Sequence, residues 1–429
     1  MIRIVRYEGQ PADTLFNRAS VPDKDVTQTV RDILNDVRQR GDEAALFYTE
    51  KFDGAMLNAL TVSAQEIEEG YARVSPELIQ TMRVAAENIT RYHQKQKREG
   101  FLDAREDGVV LGQRILPLQS VGLYVPGGTA RYPSSLLMAA IPAKIAGVPR
   151  IVLTTPPETD GKVPDVILAA AKIAGIAEIV KLGGAQAVAA LAYGTQTIQR
   201  VDKILGPGNI YVTTAKQLCY AQGVAAIDTT AGPSEILVIS DGATNPAWLA
   251  ADLLSQAEHD VLAASWLITD CQTLAQQVQA EIEVQLPLLK RAKFARASID
   301  DNARIILVPD LKTGCEIANA IAPEHLELCV EEPFAWLPLV RNAASVFLGR
   351  YCPETLGDYI AGPNHTLPTS GAARFASPLG VDDYCKRSSF LYYTREALLA
   401  AGADAERFAL SEGLTAHARA VSIRREETR

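Results

Sequence analysis

The chain has 429 residues, 48% hydrophobic and 22% charged, which is the balance of a globular protein and length enough for two or three domains. Its formal net charge of -9 argues against a nucleic-acid surface, which needs clustered Lys and Arg, so a small ligand is the expected partner. The opening MIRIVRYEGQ lacks an apolar run of signal-peptide length, and Lys144, Arg150, Lys172 and Lys181 interrupt the later apolar stretches, so neither export nor membrane insertion is expected.

From about Asp25 to Glu99 the sequence is charged, poor in Gly and helically periodic, as in VTQTVRDILNDVRQRGDEAALFYTEKF, which predicts a helical N-terminal region. From Leu116 onward, short β-rich runs (SVGLYV, RIVLTTP, EIVKL, VDKIL) alternate with Ala-rich helical stretches, the rhythm of βαβ units on a parallel sheet. A second alternating block follows: EILVISD, a helix over NPAWLAADLLSQAEHD, ASWLIT, a helix from Leu274 to Leu289, ARIILVP, a helix, and SVFLG. Beyond Tyr351 the pattern breaks into a long Gly- and Pro-rich stretch of the kind that is functional or disordered. The segments SSFLYYTREALLAAG and AERFALSEGLTAHARAVSIRR close the chain and read as helices. Six cysteines, Cys219, Cys271, Cys315, Cys329, Cys352 and Cys385, stand singly without a CxxC pair, which fits reduced thiols in a cytoplasm and small buried hydrophobes more than a catalytic thiol.

Only five histidines occur, so their neighbours carry information. In LLSQAEHD, Gln256 and His259 are three apart near a helix end and leave one face, where they could grip an ion or merely cap the helix. Asp358 and His417 would complete a mixed N/O donor set suited to zinc, or could be solvated surface groups. Glu324 and His325 open a predicted strand, where neighbours face opposite ways unless the backbone bends; the bland reading is a surface Glu and a half-buried His. Three Gly-rich elements, YVPGGTARYPSS, LGGAQA and GPGN, fall where βα turns are expected, as ligand approaches or as plain turns and caps. None is GxGxxG. Ser234 stands at a strand entrance as a site hydroxyl or a cap.

Together the segments YVPGGTARYPSSLLM, KLGGAQAVAALAYG, ILGPGNIYV, AGPSEILVI, LLSQAEHD, APEHLEL, GDYIAGPNHTLPTSG and TAHARAV, in this order from Gln119 to Val421, resemble the histidinol dehydrogenase family. The resemblance implies an α/β fold of two incomplete Rossmann-like lobes with parallel sheets, plus N- and C-terminal extensions embracing a partner subunit. The expected boundaries are 1–118 for a helical region packing with the second lobe, 119–233 for a first, NAD-side lobe, 234–376 for a second lobe carrying metal and catalytic residues, and 377–429 for an extension into the partner's site. It implies zinc, one per subunit, on Gln256, His259, Asp358 and His417, the last donated across a homodimer interface. Glu324 and His325 are the implied catalytic pair. Tyr124, Gln186 and Asn209 are implied to line an NAD site, and Ser234, His325, His365 and Glu412, with the zinc ligands, to contact the substrate. His93 matches nothing in the family pattern and reads as a surface helix residue.

The implied chemistry is a four-electron oxidation of L-histidinol through L-histidinal to L-histidine with two NAD+, at the end of histidine biosynthesis, in the cytoplasm. Two rivals stand beside it: a paralogue oxidising another polar alcohol on the same scaffold, and a zinc hydrolase with Glu324 as general base.

Overall fold

In the computed structural model, residues 1–18, 26–127, 131–228 and 232–426 are described. Residues 128–130 of the first Gly-rich turn and 229–231 before Ser234 lie outside them. In chain order the strands are β1 (Arg3–Arg6), β2 (Phe101–Ala104), β3 (Val109–Pro117), β4 (Ser120–Tyr124), β5 (Arg150–Thr154), β6 (Glu178–Val180) and β7 (Lys203–Leu205). They continue as β8 (Ala226–Ile227), β9 (Glu235–Ser240), β10 (Ala264–Thr269), β11 (Arg304–Leu307), β12 (His325–Cys329), β13 (Ser345–Leu348) and β14 (Cys385–Tyr393). The chain separates into two compact units, 1–96 with 119–384 and 97–118 with 385–429.

The larger unit holds two parallel sheets, ordered β6-β5-β4-β7-β8 and β1-β11-β10-β9-β12-β13. Numbered by appearance, the strands of both lobes run 3-2-1-4-5, so the second lobe repeats the topology of the first. This is a doubly wound dinucleotide fold short of its last strand; the second lobe gains β1 instead, on the opposite edge beside β11. The sequences explain the burial. EILVIS and ASWLIT are buried at every position of β9 and β10, as continuous apolar runs are when helices cover both faces. The Ala-rich helices Pro133–Ala146 and Asp165–Ala174 both stop at a glycine in the left-handed region, Gly147 and Gly175, and the first starts on a proline whose missing N–H costs nothing there.

The N-terminal helices depart from expectation. Val30, Ile33, Leu34 and Val37 of helix Thr27–Arg40 share one core with Ala187, Val188, Ala190 and Leu191 of helix Gly184–Tyr193, which belongs to the first lobe. The small alanine side chains let the branched residues of the N-terminal helix seat closely there. The residues up to Phe16 join the second lobe instead, with Ile2 and Leu15 buried in its cores and Ile4, Val5, Tyr7 and Phe16 packed against them. His93 is a second correction. It is fully buried at the end of helix Pro76–Gln94, its Nδ1 2.9 Å from the Ile89 carbonyl and its Nε2 3.4 Å from Asn364 Nδ2, so it braces the residue next to His365.

The smaller unit is an antiparallel sheet, β14-β3-β2, with helices Arg395–Ser411 and Thr415–Glu426. The segment SSFLYY is therefore strand, not helix. Its aromatic residues pair residue by residue with β3, and the helix starts only after Thr394, whose hydroxyl caps Ala397 N–H at 3.2 Å.

Candidate functional site

All three Gly-rich turns follow the C-terminal ends of parallel strands, where open α/β sheets bind ligands. In the first lobe the strand order reverses between β4 and β7. Tyr124 closes β4, and Gly206 to Asn209 follow β7. Gly206 has φ +117°, and a Cβ there would lie 2.0 Å from the Tyr124 carbonyl oxygen, so only glycine lets the two strands meet this closely. A cleft of about 1060 Å³ opens here, lined by Tyr124, Gln186, Asn209, Asp53, Arg131 and Glu158 among others. The three residues expected around a dinucleotide are thus brought together. Tyr124 is buried and its hydroxyl accepts from Gly184 N–H at 3.1 Å; burial pushes the phenol up to about 12, so it stays neutral. Gln186 is 1% exposed, and among the described residues neither its Oε1 nor its Nε2 has a hydrogen-bond partner. Asn209 is exposed and caps helix Ile210–Ala221, its Oδ1 accepting from Tyr211 and Val212 N–H at 3.0 and 3.2 Å, which leaves its amide NH2 for a ligand.

The second lobe reverses between β9 and β12, yet its corresponding crevice is filled by charge. Arg350 bridges Asp241, just after β9, at 2.6 and 2.8 Å, and Glu331, just after β12, at 3.3 Å. The catalytic candidates gather at the opposite, N-terminal ends of the same strands. Ala322 adopts φ +51° after helix Leu311–Ile321, a left-handed turn by a non-glycine residue, and it swings the chain so that Glu324 and His325 end on one side. Both are buried, at 7% and 4% exposure, which removes the surface reading. Glu324 Oε2 lies 3.5 Å from His325 Nδ1 and accepts from Glu235 N–H at 2.8 Å, while His325 Nδ1 donates to the Glu235 carbonyl at 2.9 Å. The backbone of one β9 residue therefore holds the pair, and that strand end is anchored by Arg18, whose Nε and Nη2 reach the buried Glu235 carboxylate at 2.6 and 3.1 Å. Losing Arg18 would strand a buried charge, a cost of about 3–5 kcal/mol.

His325 Nε2 points the other way, 3.6 Å from Asp358 Oδ1. Asp358 sits in a single π-helical turn, Gly357–Ala361, directly after the short helix Glu354–Leu356. Such turns recur at functional sites, and this one carries Asp358, with Glu354 one turn before it. One ligand atom from each of His325, Glu354 and Asp358 lies within 4.8 Å of the others. His365 joins from the following loop, with Nδ1 2.9 Å from the Asp358 carbonyl and Nε2 3.1 Å from Ser135 Oγ of the first lobe. Gln256, in the last turn of helix Pro246–Ala257, is 1% exposed, and among the described residues both its amide atoms lack partners. His259 follows just past the helix end and is exposed; its charge acts on Asp358. Ser234 is half-buried immediately before β9. Glu412 and His417 belong to the smaller unit, Glu412 ending helix Arg395–Ser411 and His417 on helix Thr415–Glu426, both exposed.

The electrostatics are strongly perturbed. Burial pushes Glu324 up to about 8, against the His325 charge and the Glu235 N–H, so near neutral pH it is largely protonated and takes a proton only where added positive charge or a higher pH ionises it. Burial pulls His325 down, but the Glu324 and Asp358 carboxylates outweigh it and raise it to about 10. Asp358 stays below the usual carboxylate range despite burial, because His325, His365 and His259 favour its charged form. A base must be neutral to act, so His325 serves as one only where positive charge offsets that carboxylate field. The unpaired Gln256 amide, Asp358 and nearby His259 are the N/O donors a divalent cation needs.

Sequence reasoning missed Glu354, Glu235, Arg18 and Ser135. Glu354 had a signal in ETLGD, where it stands one helical turn before Asp358. It is 1% exposed, and its Oε1 accepts from Ser255 Oγ at 2.6 Å. The other three act across long sequence separations, and no local pattern marks them.

Comparison with known proteins gives the family and the fold. The family model described as Histidinol dehydrogenase matches residues 16–425. Similar proteins include the histidinol dehydrogenase of Syntrophotalea carbinolica, 51% identical with 99% of each chain covered, and that of Heliobacterium mobile, 49% identical over the full length of both. The crystal structure of histidinol dehydrogenase from Elizabethkingia anophelis superposes with a TM-score of 0.95 at 38% identity, covering 100% of this chain and 98% of that one.

Proposed function

Because this chain belongs to the histidinol dehydrogenase family, we propose that it carries L-histidinol through L-histidinal to L-histidine at one site built on Glu324 and His325. The observation that carries the assignment is the buried Glu324–His325 pair, held by the Glu235 backbone N–H and carbonyl and facing Asp358. A zinc ion fits Gln256, His259 and Asp358, with His417 of the partner subunit as fourth ligand, since Gln256 is buried with its amide unpaired and Asp358 keeps its charge. NAD+ fits the first-lobe cleft, where Gln186 also lacks a partner. Bound zinc supplies positive charge that fixes the substrate's nitrogen groups and offsets the carboxylate field on His325, and bound NAD+ supplies the hydride acceptor.

In the alcohol step His325 takes the hydroxyl proton from the carbinol as its hydride departs. Its Nδ1 bond to the Glu235 carbonyl fixes the tautomer that leaves Nε2 free to accept. Among the described residues Nε2 has no hydrogen-bond partner, as an acceptor awaiting substrate requires. In the aldehyde step Glu324 takes a proton from water as it adds to the carbonyl, and His325 then removes a proton from the resulting gem-diol as the second hydride leaves. Ser234 and His365 would hold the substrate's polar groups, with Glu412 of the partner subunit. His365, bonded through Nε2 to Ser135, ties this site to the lobe that binds the cofactor.

A homodimer is the assembly this reading needs. No helix among the described residues is long and apolar enough to cross a membrane, and the six thiols are free, in keeping with the proposed cytoplasmic location. Within the smaller unit Leu102, Leu391 and Phe408 are 65%, 69% and 73% exposed, apolar area of the kind an obligate interface covers. The test is complementation. His259→Ala and His417→Ala each lose zinc and turnover as homodimers. Mixed after unfolding and refolding, they are expected to recover one intact site per hybrid dimer, about half the activity of the native dimer for that fraction. No recovery in an isolated hybrid would show that His417 serves its own subunit.

A further inference from the structure

The first-lobe cleft contains a carboxylate for which the oxidation has no use. Asp53 is the last residue of helix Asp42–Asp53, and Gly54 after it turns left-handed at φ +68°, ending the helix at the cleft wall. Asp53 Oδ2 is buried and has no hydrogen-bond partner among the described residues. Burial raises its carboxyl to about 6, still ionised for the most part at neutral pH. An unpaired buried acceptor costs about 1–3 kcal/mol, more when charged, and persists where a ligand completes it.

The surroundings say what that ligand offers. Among the described residues, the charged residues lining the cleft are Asp53, Glu158, Asp160 and Arg131, and the Arg131 guanidinium is already paired with Glu158. Lys51 lies over the Phe52 ring, 5.5 Å from its centroid, and is not among the lining residues. Counted over the described residues, the cleft near Asp53 is therefore net negative, hospitable to a neutral hydroxyl donor and hostile to a phosphate. Phe52, half exposed beside Asp53, and the apolar Ile33, Pro157 and Pro164 give a flat base a surface to lie on. None of the lining residues belongs to the Glu324–His325–Asp358 cluster, where the nicotinamide has to react, so the part of the dinucleotide inside this cleft is the adenosine half.

We propose that Asp53 accepts the 2′-hydroxyl of the adenosine ribose of NAD+ and makes the enzyme selective against the 2′-phosphorylated cofactor. The inference rests on the placement of NAD+ in this cleft proposed above. A carboxylate serves the same purpose in ordinary dinucleotide folds from the end of the second strand; here it comes from an N-terminal helix packed on the lobe.

The test is direct binding to the zinc-loaded, full-length enzyme by titration calorimetry, with NAD+, NADP+ and NAD+ lacking the 2′-hydroxyl on its adenosine ribose. The native protein is expected to bind the deoxy analogue about 10- to 100-fold more weakly than NAD+, the range of a hydrogen bond to a charged acceptor, and NADP+ more weakly still. Asp53→Ala should weaken NAD+ by a similar factor, bind NAD+ and the deoxy analogue alike, and narrow the gap between NAD+ and NADP+. Unchanged zinc content and thermal midpoint exclude misfolding. An Asp53→Ala protein that still distinguishes NAD+ from its deoxy analogue as the native one does overturns the proposal. Gln186→Ala separates the two levels: if it weakens NAD+ while Asp53→Ala does not, Asp53 alone is misassigned, and if neither variant alters NAD+ affinity, the cofactor does not occupy this cleft.

Discussion

Glu324→Gln is expected to leave the oxidation of L-histidinol to the aldehyde within a few-fold of native and to slow oxidation of supplied L-histidinal by about 10²–10⁴-fold, the usual weight of a general base. The asymmetry follows from geometry. Glutamine keeps the acceptor oxygen that meets Glu235 N–H, so the strand end stays in place, but it takes no proton from water. The two half-reactions can be followed separately by single-turnover NADH formation from alcohol and from aldehyde. Equal losses in both would remove water activation from Glu324 and leave it only the positioning of His325.

His325→Asn has the larger expected effect, a loss of about 10²–10⁴-fold in each half-reaction, because the same imidazole accepts a proton in both. Asparagine retains a donor for the Glu235 carbonyl and fits the buried site, so the zinc content should hold while turnover falls. A substrate deuterated on the carbinol carbon sharpens the measurement. When proton removal becomes limiting, the isotope effect on the first hydride should change from its native value, whereas a merely misfolded fraction would lower the rate and leave the isotope effect unaltered.

Much of this architecture could be read from local pattern. Apolar runs such as EILVIS and ASWLIT and the Ala-rich stretches between them announce a covered parallel sheet because burial on both faces leaves no alternation. The repeat of one strand order in two lobes followed from the family resemblance and not from local pattern, since order is set by which helix crosses which sheet face, and the spacing of the segments is indifferent to that. The Glu324–His325 pair was visible, but its convergence depends on a left-handed Ala322 that no propensity announces. His93 was misread although its own helix gave the signal: Met82, Ala85, Ile89 and His93 recur at three- and four-residue spacing on the buried face. Glu354 was overlooked because its partners Ser255 and Glu327 are distant in sequence, and Ser135, Arg18 and Asp53 because they too come from parts of the chain far from the residues they serve.

The two lobes have divided their labour. In the first, the crevice at the C-terminal strand ends is open and lined by unpaired polar groups. In the second, the Asp241–Arg350–Glu331 cluster occupies the corresponding strand ends, and the candidate Glu324–His325 pair stands at the other end of the same strands. On the proposed reading there is one cofactor site per chain, and an oxidation needing two hydride acceptors must then exchange its cofactor while the aldehyde stays bound.

That requirement makes the yield of NADH per substrate the most direct measurement. With limiting L-histidinol, excess NAD+ and zinc-replete enzyme, about two NADH should form for each histidinol consumed, with L-histidine as the product. A yield of about one, with aldehyde found free in solution, would contradict a single site that carries both oxidations.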